Sequence, residues 1–153
     1  MIRRARPEDR AAVEAIVNAA YAIYVDRIGK PPGPMLDDYV RLIADDTVSV
    51  LEDADRTMAA VIVLVPKQDH LLLDNIAVRP DRQGHGLGRQ LIAFAEGEAR
   101  RLGYAELRLY THQMMTENIA LYARLGFVET GRRRLMDRDP SITEIELEYP
   151  LSG

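Results

Sequence analysis

Residues Leu71 to Leu91, LLLDNIAVRPDRQGHGLGRQL, decide how the rest of the chain is read. Leu71 to Val78 is an apolar run of strand length. Arg79-Pro80-Asp81 ends it as a turn, because proline fixes φ and lacks an N–H. Gln83-Gly84-His85-Gly86-Leu87-Gly88 then opens a segment of helical period. Three glycines at alternate positions let backbone N–H groups approach a ligand with no side chains between. A helix start adds the positive end of its dipole. Together these make a site for phosphate oxygens, so a phosphate-bearing cofactor is expected here.

Working outward, Ile2 to Ala5 reads as a short edge strand. Pro7-Glu8-Asp9 is a helix-start signal. Val13, Ile16, Val17, Ala20, Tyr21, Tyr24 and Ile28 then mark one face of a single long helix ended by Gly29. Lys30 to Pro34 (KPPGP) reads as a stiff loop. Leu36, Tyr39, Val40 and Ile43 restore helical spacing. Val48 to Leu51 and Met58 to Val65 read as two strands of a hairpin, and the strand of the opening stretch follows. After the glycines, Leu87, Leu91, Ile92, Ala95 and Ala99 keep helical period as far as Gly103. Glu106 to Tyr110 alternates as a strand, Thr116-Glu117-Asn118 precedes a short helix whose apolar residues are Ile119, Leu121, Tyr122 and Leu125, and Phe127-Val128 begins another strand. Ile142 to Tyr149 is the last strand and a candidate edge. Strand–helix–strand steps around the glycine turn imply some parallel pairing, hence a mixed α/β chain.

With 153 residues, one domain spanning residues 1–153 is expected. A net charge of −4 provides no field to gather nucleic acid. The cluster Arg132-Arg133-Arg134 reads as a solvated face. The absence of cysteine excludes disulfides and thiol nucleophiles in this chain. The start, MIRRARPEDR, has no apolar core of signal-peptide length, and no run reaches the ~18 apolar residues of a membrane helix. A soluble cytoplasmic protein without membrane contact is expected. His70 and His112 have no metal-ligand partners at useful spacing, so no metal is expected.

Two nucleotide motifs fail on this stretch. The Walker pattern needs Gly-Lys-Ser or Gly-Lys-Thr, which is missing here. The dinucleotide pattern Gly-x-Gly-x-x-Gly is broken, because Gly88 comes one residue early after Gly84 and Gly86. Val78 to Gly88 instead resembles the acyl-CoA signature of the GCN5-related N-acetyltransferases (GNAT): Gln or Arg, two residues, Gly, one residue, then Gly or Ala. Gln83, Gly86 and Gly88 hold its fixed places. Asn118-Ile119-Ala120-Leu121-Tyr122-Ala123-Arg124-Leu125-Gly126-Phe127 resembles, in contracted form, the second signature of that superfamily. The order of elements matches along nearly the whole chain.

The resemblance implies a mostly antiparallel central sheet of six to seven strands with helices on both faces. Its two central parallel strands splay to admit acyl-CoA. Acetyl-CoA is then the co-substrate. Its pyrophosphate would meet Gln83, Gly84, His85, Gly86, Leu87, Gly88 and Arg89, with Arg82 either adding charge or simply lying on the surface. Its pantetheine arm would pair with the edge Ile76-Ala77-Val78, while the strand Glu106 to Tyr110 forms the second wall. Tyr122 is placed as proton donor to the departing thiolate, against a plain core tyrosine on spacing alone. Asn118, on the same helix face, would contact the arm or cap the helix. Asp74, an acid in an apolar strand, is the candidate base or else a strand-end acid bonded to a backbone N–H or an arginine. Asn75 would point to the opposite face. Tyr21, Tyr24 and the Lys30 to Pro34 loop would wall the acceptor site, with core packing the expected role of at least one tyrosine.

Three functions follow from this reading. The first is N-acetyl transfer to a primary amine of a small molecule, by direct attack in a ternary complex. The second is acetylation of a protein N-terminus or lysine. The superfamily's ribosomal-protein branch carries aromatic and arginine features after Gly-Phe, and Val128 to Met136 lacks paired tyrosines, which weakens that reading. The third is a non-catalytic acyl-CoA-binding module, against which Tyr122 argues. Dimers are common in the superfamily, and a homodimer is compatible with the resemblance.

Overall fold

The structure is a computed structural model that describes residues 1–135 and 139–151. A short strand, β1 (Ile2–Arg4), leads into helices α1 (Arg10–Tyr21), α2 (Ile23–Ile28), α3 (Gly33–Leu36) and α4 (Tyr39–Ala44). Strands β2 (Val48–Glu52), β3 (Met58–Pro66) and β4 (Leu71–Val78) follow as a meander. Then come α5 (Leu87–Arg101), β5 (Glu106–His112), α6 (Thr116–Arg124), β6 (Val128–Leu135) and β7 (Asp139–Pro150). The seven strands form one sheet in the order β1-β2-β3-β4-β5-β7-β6. All neighbours are antiparallel except β4 and β5. The expected mixed, mostly antiparallel sheet is what forms.

The pleat sorts the core into two layers. On β3, Val61 and Val63 join Val13, Val17, Tyr21, Tyr39 and Ile43 on the α1 and α4 face. Ile62 and Leu64 join Leu91, Ile92, Ala95 and Ala99 of α5 on the other. Alternation along a strand buried on both faces produces this division. Leu71, Leu73, Leu107 and Leu109 are at most 1% exposed, so each contributes about 1.5–3 kcal/mol by burial. These leucines anchor the roots of β4 and β5. No helix among the described residues is long and apolar enough to cross a membrane.

Four expectations are corrected. The expected single helix divides at Ala22, whose φ of −56° and ψ of −35° remain helical. The Lys30 to Pro34 loop ends in the one-turn helix α3, which tolerates Pro34 because a first-turn N–H has no helical partner anyway. The helix expected from Leu36 begins at Tyr39 instead, because Asp37 is extended and Asp38 caps the Arg41 N–H. That shift leaves Leu36 and Val40 exposed and buries only Tyr39 and Ile43. Finally, β7 is no edge: it forms a hairpin with β6 and pairs with β5 from Glu106 to His112, so β1 and β6 are the edges. Of the arginine cluster, Arg132 is exposed. The Arg133, Arg134 and Ile142 side chains and residue Met136 lie outside the described residues.

Candidate active site

The site begins where two strands part. β4 and β5 pair only at Leu71 with Leu107 and Leu72 with Arg108. Beyond that point β4 follows β3 and β5 follows β7. The side of β4 that faces the gap can be read from one bond: Arg79 N–H donates to Ala59 O at 2.9 Å. That bond makes Val78 and Ala60 a pair whose own backbone groups turn away from each other. Ile76, two residues earlier, turns the same way, and Ala77 turns towards β3. The gap is therefore lined by backbone groups of Ile76 and Val78, not of the whole Ile76 to Val78 edge.

Side chains cover that edge. The Tyr21 hydroxyl donates to the Ile76 carbonyl at 3.0 Å. Gln83 Nε2 donates to the Val78 carbonyl at 3.3 Å. Burial pushes the Tyr122 phenol up, while a backbone hydrogen bond from Ile76 pulls in the opposite direction. Tyr122 is 3% exposed and packs edge-on against Phe127, ring centroids 5.5 Å apart. Burial thus holds its hydroxyl as a protonated phenol.

Three other tyrosines converge from the opposite layer. Burial, and next the neighbouring Tyr122, raise the Tyr21 hydroxyl well above its ordinary value. Tyr24 Oη accepts the Asn118 backbone N–H at 3.2 Å. Asn118 therefore does not cap α6; Met115 holds that position without a side-chain cap bond. Arg27 lies over the Tyr24 ring at 5.4 Å and pairs with Glu117 of α6. That guanidinium holds the Glu117 carboxyl down at about 2. Tyr21 and Tyr24 are both buried, which places their rings in the core and leaves only their hydroxyls for polar work.

β4 is irregular at Asp74. Val63 pairs with Asn75 but Leu64 pairs with Leu73, so Asp74 is an extra residue in a β-bulge. Leu73 and Ile76 lie in the same core layer. The two residues between them therefore both fall on the α1 and α4 face, and the expectation that Asn75 opposes Asp74 is corrected. Asp74 is half-buried, and its charge helps raise Tyr21, Tyr39 and Tyr122. Asn75 is buried against Tyr39. Residue spacing carries no signal for a bulge, so the contact between Asn75 and Tyr39 was not legible in the sequence.

The glycine turn is open on its outer side. Gly84 and Gly86 have φ of +83° and +81°, in the left-handed region that favours glycine. A Cβ at either would meet nothing within 4 Å. Gly88 has no such need, and its Cβ would touch only Leu125 Cδ1 at 3.7 Å. α5 starts after Gly86 with no side-chain cap, leaving its first N–H groups directed outward. Leu87 and Gly88 are half-buried, while Gln83, His85 and Arg89 are exposed. Arg82 is committed elsewhere, to Asp53 at 2.6 Å. An uncapped 15-residue helix behind two left-handed glycines fits a pyrophosphate, and the parted strand edge fits an extended amide arm.

A family model for the GNAT acetyltransferase domain matches residues 44–129. The chain belongs to the GNAT acetyltransferase family. The matched segment runs from the end of α4 into β6 and so contains the gap, the glycine turn and α6. The [Ribosomal protein bS18]-alanine N-acetyltransferase of Escherichia coli K12 is 42% identical over 77 residues, 50% of this chain and 52% of that protein. The chain thus spans about half the length of the curated relatives it matches. A crystal structure of the ribosomal-protein-S18-alanine N-acetyltransferase from Escherichia coli superposes with a TM-score of 0.72 at 28% identity, covering 100% of this chain and 94% of that one. A GNAT family acetyltransferase from Elizabethkingia anophelis, crystallised with acetyl-CoA bound, shares the fold with a TM-score of 0.63 at 23% identity, over 76% of this chain and 87% of that one.

Proposed function

We propose that residues 1–153 act as one domain that transfers an acetyl group from acetyl-CoA to the primary amine of a small molecule. The observation that carries this reading is the parting of β4 and β5 beyond Leu72, with the buried Tyr122 phenol on the helix that follows β5. Acetyl-CoA supplies an acetyl group already activated as a thioester. The N–H groups of Gly86 to Arg89 receive the pyrophosphate, and the exposed Arg89 side chain adds positive charge. Ile76 and Val78 turn their backbone groups to the pantetheine amides, with Asn118 on the facing helix. Asp74 takes the proton the amine must lose, directly or through a water. The C–N bond forms, the C–S bond breaks, and the Tyr122 hydroxyl stabilises the charge on the departing sulfur. Burial keeps that hydroxyl protonated across the neutral range, which suits a donor and not a base.

A second reading has one observation in its favour. The relatives that match at 42% are named for acetylating the alanine of a ribosomal protein. A panel of small amines and alanine-terminated peptides, assayed for CoA release, separates the two. Saturable release with small primary amines is expected. Release with peptides alone moves the assignment to a protein N-terminus. Background release with every acceptor, beside tight acetyl-CoA binding, leaves a non-catalytic acyl-CoA-binding module.

A further inference from the structure

The helix that carries Tyr122 and Asn118 has no cap of its own. Met115 precedes α6 without a side-chain cap bond, so the first N–H groups of α6 need partners from elsewhere. One comes from α2: Tyr24 Oη accepts the Asn118 N–H at 3.2 Å. Arg27, three residues on in the same helix, completes the hold. Its Nη1 donates to the Met114 carbonyl at 3.3 Å and to one Glu117 carboxylate oxygen, and its Nη2 donates to the other at 2.8 Å. The Thr116 hydroxyl donates to Glu117 Oε1 at 2.7 Å and fixes that carboxylate in place. A guanidinium alone would oppose the positive end of the α6 dipole, and Glu117 in the first turn offsets it.

These contacts close a circuit across the gap. On the β4 side, Tyr21 of α1 donates to the Ile76 carbonyl, and the chain stays helical through Ala22 into α2. On the β5 side, the Met115 N–H donates to the His112 carbonyl at 3.0 Å, so the start of α6 is tied to the end of β5. Met115 also packs in the same core layer as Tyr21 and Tyr24. β4 and β5 themselves pair only at Leu71 and Leu72. The gap is thus braced at its root by strand pairing and, through Ile76, by α2 on α6. The ion pair in this brace is partly exposed, 36% for the Arg27 side chain and 51% for Glu117, so it adds little to global stability. What its bidentate geometry fixes is distance and direction.

Resting on the acetyltransferase reading, we propose that Tyr24 and Arg27 are positioning residues that set the width of the gap at its reacting end, and with it the length of acyl chain the protein accepts. They act through α6 and not by contact with the acyl group. Tyr122 lies four residues after Asn118, on the same helix face. Held at its start, α6 keeps Tyr122 and the end of β5 at one spacing from Ile76. An acetyl group fits a gap of fixed width, whereas each added methylene must push α6 away from α2. Loosening the brace therefore relaxes acyl selection before it weakens the grip on CoA, whose phosphates meet the glycine turn.

The test measures Kd by calorimetry for CoA, acetyl-CoA and butyryl-CoA, with no acceptor present, on the full chain and its variants Tyr24→Phe, Arg27→Met and Arg27→Lys. Wild-type protein is expected to bind acetyl-CoA about tenfold more tightly than butyryl-CoA, at the lower end of what overpacking a fixed space costs. Arg27→Met keeps an apolar stem over the Tyr24 ring but loses the fork, and should bring that ratio to about twofold, as should Tyr24→Phe. Both should leave the CoA Kd within about twofold, and Arg27→Met should leave Tm within about 3 °C. Arg27→Lys, which restores the charge and one donor without the fork, should recover part of the ratio. A ratio unchanged in both Tyr24→Phe and Arg27→Met overturns the proposal, as does wild-type protein that binds the two acyl-CoAs equally. A joint fall in Tm and in affinity for all three ligands in Arg27→Met also overturns it, because the brace would then be structural and not selective. Wild-type protein that binds none of the three overturns the acyl-CoA reading and this inference together, whereas binding with an unchanged ratio overturns this inference alone.

Discussion

The two sides of the gap are made of different material. On the glycine-turn side the chain presents backbone: N–H groups at the start of α5 and the edges of Ile76 and Val78. On the tyrosine side it presents side chains: Tyr21, Tyr24 and Tyr39 against Asp74 and Asn75. A backbone site depends on dihedral angles, so it demands particular residues, as the left-handed φ of Gly84 and Gly86 does. A side-chain site depends on which face each residue takes, and one inserted residue at Asp74 reverses that. The first kind suits a ligand part that is invariant, the second one that varies.

The largest effect should come from breaking the backbone side. Gly86→Val places a β-branched residue at φ +81° and puts its methyls into the open cradle. Acetyl-CoA affinity, read by calorimetry, should fall by about 10³-fold, or ~4 kcal/mol. Unchanged affinity would move the phosphate site elsewhere. Next is Tyr122→Phe, expected to lower kcat by about 10²-fold, in the range of a lost proton donor, with acetyl-CoA Kd within about threefold. Equal loss of binding would make Tyr122 part of the core alone.

On the tyrosine side the effects should be smaller and appear as stability. Tyr21→Phe leaves the Ile76 carbonyl without its 3.0 Å donor and should cost about 1–3 kcal/mol in denaturant unfolding. Less than ~0.5 kcal/mol would mean that water replaces the hydroxyl. Burial raises Tyr39 in the folded state, so its contribution is complete below the unfolded value near 10 and is lost as pH rises above it. Unfolding free energy should hold between about pH 7 and 9 and fall above about 10, less steeply in Tyr39→Phe, by at most about 1.4 kcal/mol per pH unit. Parallel curves would show that Tyr39 does not titrate differently on folding. Least of all, Gly88→Ala should leave unfolding free energy unchanged or raise it by up to about 1 kcal/mol of helix preference. A marked fall would reveal crowding against Leu125.

These two materials also explain what could be read from residues alone. The strand–turn–glycine–helix order was legible in Leu71 to Leu91, because proline and the left-handed glycines punctuate the backbone directly. The sheet followed from apolar runs buried on both faces. The break at Ala22 was not legible, because its dihedrals stay helical and nothing in its residue type marks it. The edge position of the last strand was misread because pairing on both sides of β7 depends on partners far away in sequence. Asn75 was dismissed by strict alternation, a rule that holds only where no bulge intervenes.

The covered edge of β4 has a consequence in time. The Ile76 and Val78 carbonyls already have partners, so β4 has less to gain from closing onto β5. An arriving extended ligand exchanges hydrogen bonds one for one and does not wait for a strand pair to melt. Its capture should therefore be a single exponential whose rate climbs linearly with ligand concentration, without the plateau that marks a slow opening step.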